Sequence, residues 1–112
     1  MIIGDTAGLG VETARDVTKM DARVIITTRD QAKAEVVVES INTEIGDRSE
    51  VVTPVVFRRC DLSDLELLKV LTIDLRKELD HIDILVNNAG LLSTELKKTK
   101  QGLEMTIGSN FV

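Results

Sequence analysis

Short β-branched runs alternate with stretches of helical periodicity, and this alternation limits the possible folds more than any other feature of the chain. The runs predicted to be strands end at Ile3, Thr28, Arg59 and Val86, and helical periodicity follows each of them. Strands and helices in this order predict an α/β fold, with a doubly wound parallel sheet covered by helices on both faces. Ligands bind such sheets at the carboxyl ends of the strands, so the residues that follow each strand are the functional candidates.

Several residues mark the ends of the predicted elements. Asp30 is a preferred N-cap, and Gly46 stands where the second helix needs its C-cap. Ser63 and Glu66 have the spacing of a capping box, which predicts that the third helix begins there. Pro54 predicts that the third strand starts late or lies at an edge. The other predicted bounds are a first helix over 11–20, a third strand over 51–59, a fourth strand over 82–86 and a last helix that opens near Gly102.

The composition excludes several classes of protein. A net charge of −5 and only two aromatic residues argue against nucleic-acid binding, which needs a basic surface and rings on which bases stack. The lone Cys60 allows no internal disulfide, and with the single His81 it allows no cysteine-built metal site. We therefore expect no metal and a reducing, cytoplasmic location. No run approaches the roughly 20 apolar residues of a membrane span, while anchoring of a longer form stays open.

A glycine-rich loop joins the first strand to the first helix. It reads Gly4-x-x-x-Gly8-x-Gly10, with Thr6, Ala7 and Leu9 among the intervening residues. Phosphate binding here needs close approach of the backbone, free N–H groups and the positive end of a helix dipole, and glycines permit that approach. By spacing alone an ordinary glycine-rich turn explains the loop equally well, but its place between strand and helix favours phosphate binding.

Polar residues follow the other predicted strands. Thr28-Arg29 offers no carboxylate for the ribose hydroxyls of NAD but a cation suited to the extra phosphate of NADP, with a solvated surface arginine as the alternative. Asp61-Leu62 follows the third strand, where Asp61 would also fit an ordinary turn. The fourth strand ends in Asn87-Asn88-Ala89-Gly90, whose amides can join neighbouring strand ends and whose small residues let a ribose lie on the backbone.

These motifs together resemble those of the short-chain dehydrogenase/reductase family. The glycine loop is similar to that family's TGxxxGxG, with Ile3 where Thr is usual and Asp5 where Ala is usual. A carboxylate at Asp5 would repel a pyrophosphate. The segment 98–104, the pattern Gly108-x-Asn110 and the stretch Thr28-Arg29-Asp30 are similar to those of retinol dehydrogenase-like members.

The resemblance implies a Rossmann-like sheet that is incomplete, with a shortened first strand and only the first four strands. Residues 1–112 would then be the N-terminal dinucleotide-binding part of a single domain, truncated at both ends. It also implies hydride transfer between NADP(H) and a lipophilic alcohol or carbonyl such as a retinoid or steroid. NAD is less favoured than NADP as the cofactor. The residues implied to bind the cofactor are Gly4, Thr6, Ala7, Gly8, Leu9, Gly10, Arg29, Asp61, Leu62, Asn88, Ala89 and Gly90. Asn110 matches the asparagine of the family's catalytic tetrad, which holds a water in the proton relay.

The chain contains no tyrosine. The family's general acid/base is the Tyr of a YxxxK motif, whose Lys lowers the pKa of the phenol, so we expect no activity from these residues alone. One alternative is a non-catalytic fragment that binds a nucleotide or a protein partner. A second is another Rossmann-type protein, but a sugar epimerase would normally have GxxGxxG and a methyltransferase would lack NNAG.

Overall fold

The computed structural model describes residues 1–4, 7–46 and 54–111. The elements are β1 (Ile2–Ile3), α1 (Leu9–Thr18), β2 (Val24–Thr28), α2 (Gln31–Ile45), β3 (Val55–Arg59), α3 (Leu65–Glu78), β4 (Val86–Asn87) and α4 (Met105–Asn110). They form two compact units, Met1–Arg59 with Ile84–Asn88 and Cys60–Asp83 with Ala89–Val112. None of the helices in the described part of the chain has the length and apolarity that crossing a bilayer requires.

Among the described residues, the strands form one parallel sheet in the order β3-β2-β1-β4. β1 lies inside the sheet, with Ile2 opposite Ile26 on one side and Val86 on the other. β3 lies at an edge and begins directly after Pro54, as the proline predicts, while its predicted start at residue 51 lies outside the described residues. The predicted parallel sheet of an α/β fold is thus confirmed, and all strands have their carboxyl ends at the same edge of the sheet.

The core of the first unit lies between one face of the sheet and helices α1 and α2. It contains Ile2, Val24, Ile26 and Val55 from the strands, Ala14 from α1, and Ile41 and Ile45 from α2. Because side chains alternate along a strand, these strand residues share one face, and both helices cover it. Every residue of β2 is buried, which fits a strand inside a covered sheet.

β4 is shorter than the sequence predicts. The predicted strand over 82–86 is wrong at its start, because only Val86–Asn87 pairs with β1. Ladder pairing needs a neighbouring strand, and β1 offers only Ile2–Ile3. Ile84 is 66% exposed, and its carbonyl accepts a hydrogen bond from the Met1 amino group at 2.7 Å.

α1 and α2 follow the prediction closely. α2 has Asp30 as its N-cap, whose side chain accepts a hydrogen bond from the Lys33 N–H at 3.1 Å. Gly46 follows its last residue with a φ of 49°, a conformation that favours glycine at the end of a helix. α1 begins at Leu9 rather than at residue 11, since the helix starts within the glycine loop.

The predicted capping box at the start of α3 is wrong. The N-cap is Asp64, whose carboxylate accepts a hydrogen bond from the Glu66 N–H at 3.1 Å. The Ser63 hydroxyl instead donates to the Asp61 carboxylate at 2.6 Å, so it does not cap the helix. α4 begins after Glu104, whose carboxylate accepts from the first-turn N–H groups, rather than near residue 102.

Candidate functional site

The start of α1 has backbone donors that no side chain of the described residues caps. Its N-cap is Gly8, and the N–H groups of Leu9, Gly10 and Val11 have no acceptor among the described residues. The other helices of the described chain have a carboxylate in this place: Asp30 for α2, Asp64 for α3 and Glu104 for α4. Free N–H groups and the positive end of the helix dipole make the start of α1 suitable for an anion.

Gly8 gives this helix start its open surface. Its φ of 64° lies in the left-handed region, which side chains with a Cβ disfavour. Apart from its two neighbours in the chain, a Cβ added to Gly8 would meet no atom of the described residues within 4 Å, so the space beside the free donors is open there. An uncapped helix start beside an open glycine backbone fits a pyrophosphate group.

The other residues of the loop contribute differently. Ala7 and Leu9 are exposed, whereas Gly10 is buried at the start of α1. Thr6 and Asp5 lie outside the described residues. In the part of the loop that the structure describes, the backbone from Gly8 onward forms the candidate anion site.

The carboxyl ends of three strands bring predicted residues to one edge of the sheet in the first unit. β1 lies between β2 and β4, so Gly4, which follows β1, lies between the carboxyl ends of those two strands. The Asn88 N–H donates to the Ile3 carbonyl at 2.9 Å and continues the pairing of β4 with β1. Arg29 is exposed, and no acidic residue stands at the end of β2, where Thr28 is only 4% exposed. This edge therefore combines a glycine backbone, an amide and a cation.

In the second unit, Asp61 organises the turn before α3. One of its carboxylate oxygens accepts hydrogen bonds from the Ser63 N–H at 2.9 Å and from the Ser63 hydroxyl at 2.6 Å. Leu62 is half-buried beside it. Burial raises the pKa of the neighbouring Cys60 thiol, and the charge of Asp61 raises it further, so this thiol is a weak nucleophile. Asp61 therefore forms the ordinary turn that was the alternative to a cofactor-binding role in the sequence analysis.

Asn110 holds the segment that follows the NNAG motif. Its side-chain amide donates to the Leu91 carbonyl at 2.8 Å, and its side-chain oxygen accepts from the Leu91 N–H at 3.0 Å. Ala89 is half-buried and Gly90 is exposed in the residues just before. Both hydrogen bonds go to the backbone of one residue, so the Asn110 side chain holds the segment that directly follows NNAG.

A second contact joins the segment after NNAG to the start of α3. The Lys100 ammonium donates to the Asp64 carboxylate at 2.8 Å, and the Lys100 N–H donates to the Ser63 carbonyl at 3.2 Å. The side-chain hydrogen bond from Lys100 holds the pKa of Asp64 below its usual value. The second unit is therefore tied together around the N-cap of α3.

Comparison with known proteins identifies the family. Residues 1–111 match the model of a family described as short chain dehydrogenase. The chain belongs to the short-chain dehydrogenase family. The predicted family and fold class are thereby confirmed, and this family of oxidoreductases uses nicotinamide cofactors.

Relatives of this chain include human "Retinol dehydrogenase 11". The two are 34% identical over 110 residues, which cover 98% of this chain and 33% of the relative. An uncharacterized protein from Mycobacterium Paratuberculosis has a similar structure, with a TM-score of 0.79, 30% identity and coverage of 98% of this chain and 36% of the other. A metagenomic short-chain oxidoreductase in complex with NADP has a TM-score of 0.68, 27% identity and coverage of 80% and 38%. The chain spans about a third of the length of the curated relatives it matches.

Two features of this chain are not evident from the sequence. The double hydrogen bond of Asn110 to Leu91 joins residues far apart in the chain, and no local pattern marks such a pair. The capping role of Asp64 was missed because Ser63 and Glu66 have the more familiar spacing, although aspartate is an equally good N-cap. The aspartate directly before the leucine-rich stripe was the available signal.

Proposed function

We propose that this chain is the cofactor-binding portion of an oxidoreductase that transfers a hydride between NADP(H) and an alcohol or carbonyl. The observation that carries the proposal is the uncapped start of α1 beside the open backbone of Gly8. In this proposal Gly4, Gly8 and Gly10 let the pyrophosphate approach the backbone, and the N–H groups of α1 bind it. When bound, the nicotinamide would supply or accept the hydride, and the role of this chain would be to bind and orient the cofactor.

The choice of NADP over NAD rests on the end of β2. Thr28 is neutral and Arg29 is an exposed cation whose side chain has no partner among the described residues. A guanidinium group binds a phosphate with two parallel hydrogen bonds, whereas the ribose hydroxyls of NAD call for a carboxylate. Arg29 therefore supports NADP as the cofactor.

The remaining predicted residues have proposed roles that follow their places. Asp61 and Leu62 would hold the adenine, while Asn88, Ala89 and Gly90 would carry a ribose on the backbone. Asn110 would support the proton relay of the longer protein through the segment that it positions. The printed names of the relatives, with the resemblance of the 98–104 segment, support a lipophilic substrate such as a retinoid. The single cysteine supports a reducing, cytoplasmic location.

Titration with reduced cofactors tests the proposal directly. The chain has no Trp or Tyr, so the emission of reduced nicotinamide can be followed without interference from the protein. We expect NADPH to bind and NADH to bind more weakly, on the order of tenfold, because only NADPH has the phosphate that Arg29 recognises. Binding of neither cofactor by a chain whose circular dichroism shows folded helices would overturn the proposal.

A second candidate is a fragment that binds the cofactor without catalysis. The absence of tyrosine from the 112 residues favours it, because no phenol is present to exchange a proton with the substrate oxygen. The coding sequence downstream of these residues separates the two, because both candidates expect the 112 residues alone to bind the cofactor without reducing it. A YxxxK motif there would support the oxidoreductase, and its absence would support the non-catalytic candidate.

A further inference from the structure

We propose that Arg59, at the end of β3, is a second residue that binds the 2′-phosphate of NADP and thereby helps to select NADP over NAD. This inference rests on the proposed function, because it concerns the phosphate that Arg29 is proposed to recognise. The two arginines come from different strands and are far apart in the sequence. Their relation therefore depends on how β2 and β3 pair.

The register of the sheet brings the two arginines to one place. β2 and β3 pair in parallel along their whole length, and the last pair is Thr28 opposite Arg59. Neighbouring strands lie about 4.8 Å apart, and Arg29 follows Thr28 directly. The backbone of Arg29 therefore lies one residue beyond the partner of Arg59, and both side chains leave the sheet at its carboxyl edge.

Arg59 lies on the face of the sheet that α2 covers. Side chains alternate along β3, so Arg59 shares a face with Val55, and Val55 packs in the core with Ile41 of α2. Thr28 lies on this same face, because the register places it opposite Arg59. The long arginine side chain consequently starts beside α2 rather than on the opposite face of the sheet.

The first turn of α2 reaches the level of Arg59. Near the other end of α2, the Asn42 side chain makes two hydrogen bonds, at 3.0 and 3.1 Å, to the backbone of Val55, the first residue of β3. From Asn42 back to Gln31 the helix spans about 16 Å. From Val55 to Arg59 the strand spans about 13 Å. The helix runs opposite to the strand, so its positive dipole end adds to the two cations.

The charges and donors at this place are available to an anion. The side chains of Arg29 and Arg59 are exposed and have no ion pair or hydrogen bond within the described residues. The Thr28 hydroxyl accepts from the Asp30 N–H at 3.2 Å, and its own proton has no acceptor in the described part of the chain. The Asp30 carboxylate is already used by the Lys33 N–H and ammonium group.

A phosphate monoester satisfies these groups better than a carboxylate does. It carries roughly −1.5 to −2 charges and three acceptor oxygens, enough for two guanidinium groups and a hydroxyl. The chain is acidic overall, with a net charge of −5, so two neighbouring cations without carboxylate partners are notable in it. The pyrophosphate is assigned to the start of α1, which leaves the 2′-phosphate as the group for Arg29 and Arg59.

The test compares Arg59→Gln with a matched control, Arg23→Gln. Arg23 is also exposed and without a partner in the described chain, but it precedes β2 and so lies at the opposite edge of the sheet. Each substitution removes one positive charge, which makes the change in net charge equal. NADPH and NADH are titrated against the unsubstituted chain, both variants and Arg59→Lys.

We expect Arg59→Gln to weaken NADPH binding on the order of tenfold and to leave NADH unchanged, because a charge-assisted contact to the 2′-phosphate is lost. Arg23→Gln should change neither affinity, and Arg59→Lys should retain part of the preference for NADPH. Unchanged NADPH binding in Arg59→Gln, or equal weakening of both cofactors, would overturn the inference while leaving the proposed function intact. Failure of the unsubstituted chain to bind NADPH would overturn the proposed function, and the inference with it.

Discussion

Replacing Asn42 with alanine should destabilise the first unit strongly, because this side chain satisfies both backbone groups of a buried residue. Its amide donates to the Val55 carbonyl at 3.0 Å, and its side-chain oxygen accepts from the Val55 N–H at 3.1 Å. Val55 is 0% exposed, so water cannot replace these bonds easily. β3 lies at the edge of the described sheet, and α2 supplies the partners there.

The size of the effect follows from those two groups. An unsatisfied buried donor or acceptor costs about 1–3 kcal/mol. Alanine returns about 0.5 kcal/mol through its higher helix propensity. Two such groups together give an expected net loss of about 1.5–5.5 kcal/mol, a large part of the roughly 5–15 kcal/mol that stabilises a typical domain.

Urea unfolding followed by circular dichroism measures this loss, since the chain has no tryptophan to report it. Thr43→Ala is the matched control, because Thr43 is the exposed neighbour on the same helix. Asn42→Asp keeps the acceptor for the Val55 N–H but loses the donor, so its stability should lie between those of the wild type and Asn42→Ala. Equal unfolding midpoints and equal slopes for the alanine variants of Asn42 and Thr43 would refute the reasoning.

Two further predictions concern the glycine loop and the start of α3. Gly8→Ala and Gly46→Ala should each lower the free energy of unfolding by about 1 kcal/mol, because φ is positive at both glycines. Only Gly8→Ala should also weaken NADPH binding, because Gly46 lies outside the glycine loop. Equal NADPH affinities for these two variants would contradict the assignment. The hydrogen bond from Lys100 holds the pKa of Asp64 in the folded state below its ordinary value of 3.8. The ionised carboxylate therefore stabilises the fold at pH values above 3.8. This stabilisation is lost as the pH falls through the lower pKa of the folded state. Unfolding at a series of acidic pH values should show a weaker acid dependence in Asp64→Asn than in the wild type or in Asp74→Asn, and parallel curves for all three would show that the contact with Lys100 has no such effect.

Local signals in the sequence predicted most element boundaries and failed where a boundary depends on another part of the chain. Asp30 and Gly46 mark the ends of α2 correctly, because caps are set by the residues within one turn. The apolar run before Asn87 suggested a longer β4, yet its length is set by β1, which offers only Ile2–Ile3 for pairing. At α3 two local signals competed, and Asp64 caps the helix because Ser63 is already bonded to Asp61.

The candidate site divides in the same way. Gly8 and Arg29 could be found from the sequence, because a glycine loop between strand and helix and the residue after a strand have fixed places in a parallel α/β fold. Arg59 could not be found from the sequence, since an arginine at the end of a strand becomes a candidate only when the register is known to place it opposite Thr28. The bond of Asn110 to Leu91 likewise joins residues that no sequence spacing relates.

The sequence by itself determined the order of strands and helices, the glycine backbone at the start of α1 and the family to which the chain belongs. These features depend on neighbouring residues and on periodicity, which a single chain displays directly. Only the tertiary structure decided how long β4 is, which polar group satisfies Val55 and which residue of β3 lies opposite Thr28. Those outcomes depend on the register of paired strands and on hydrogen bonds between distant residues, and such contacts exist only once the sheet has formed.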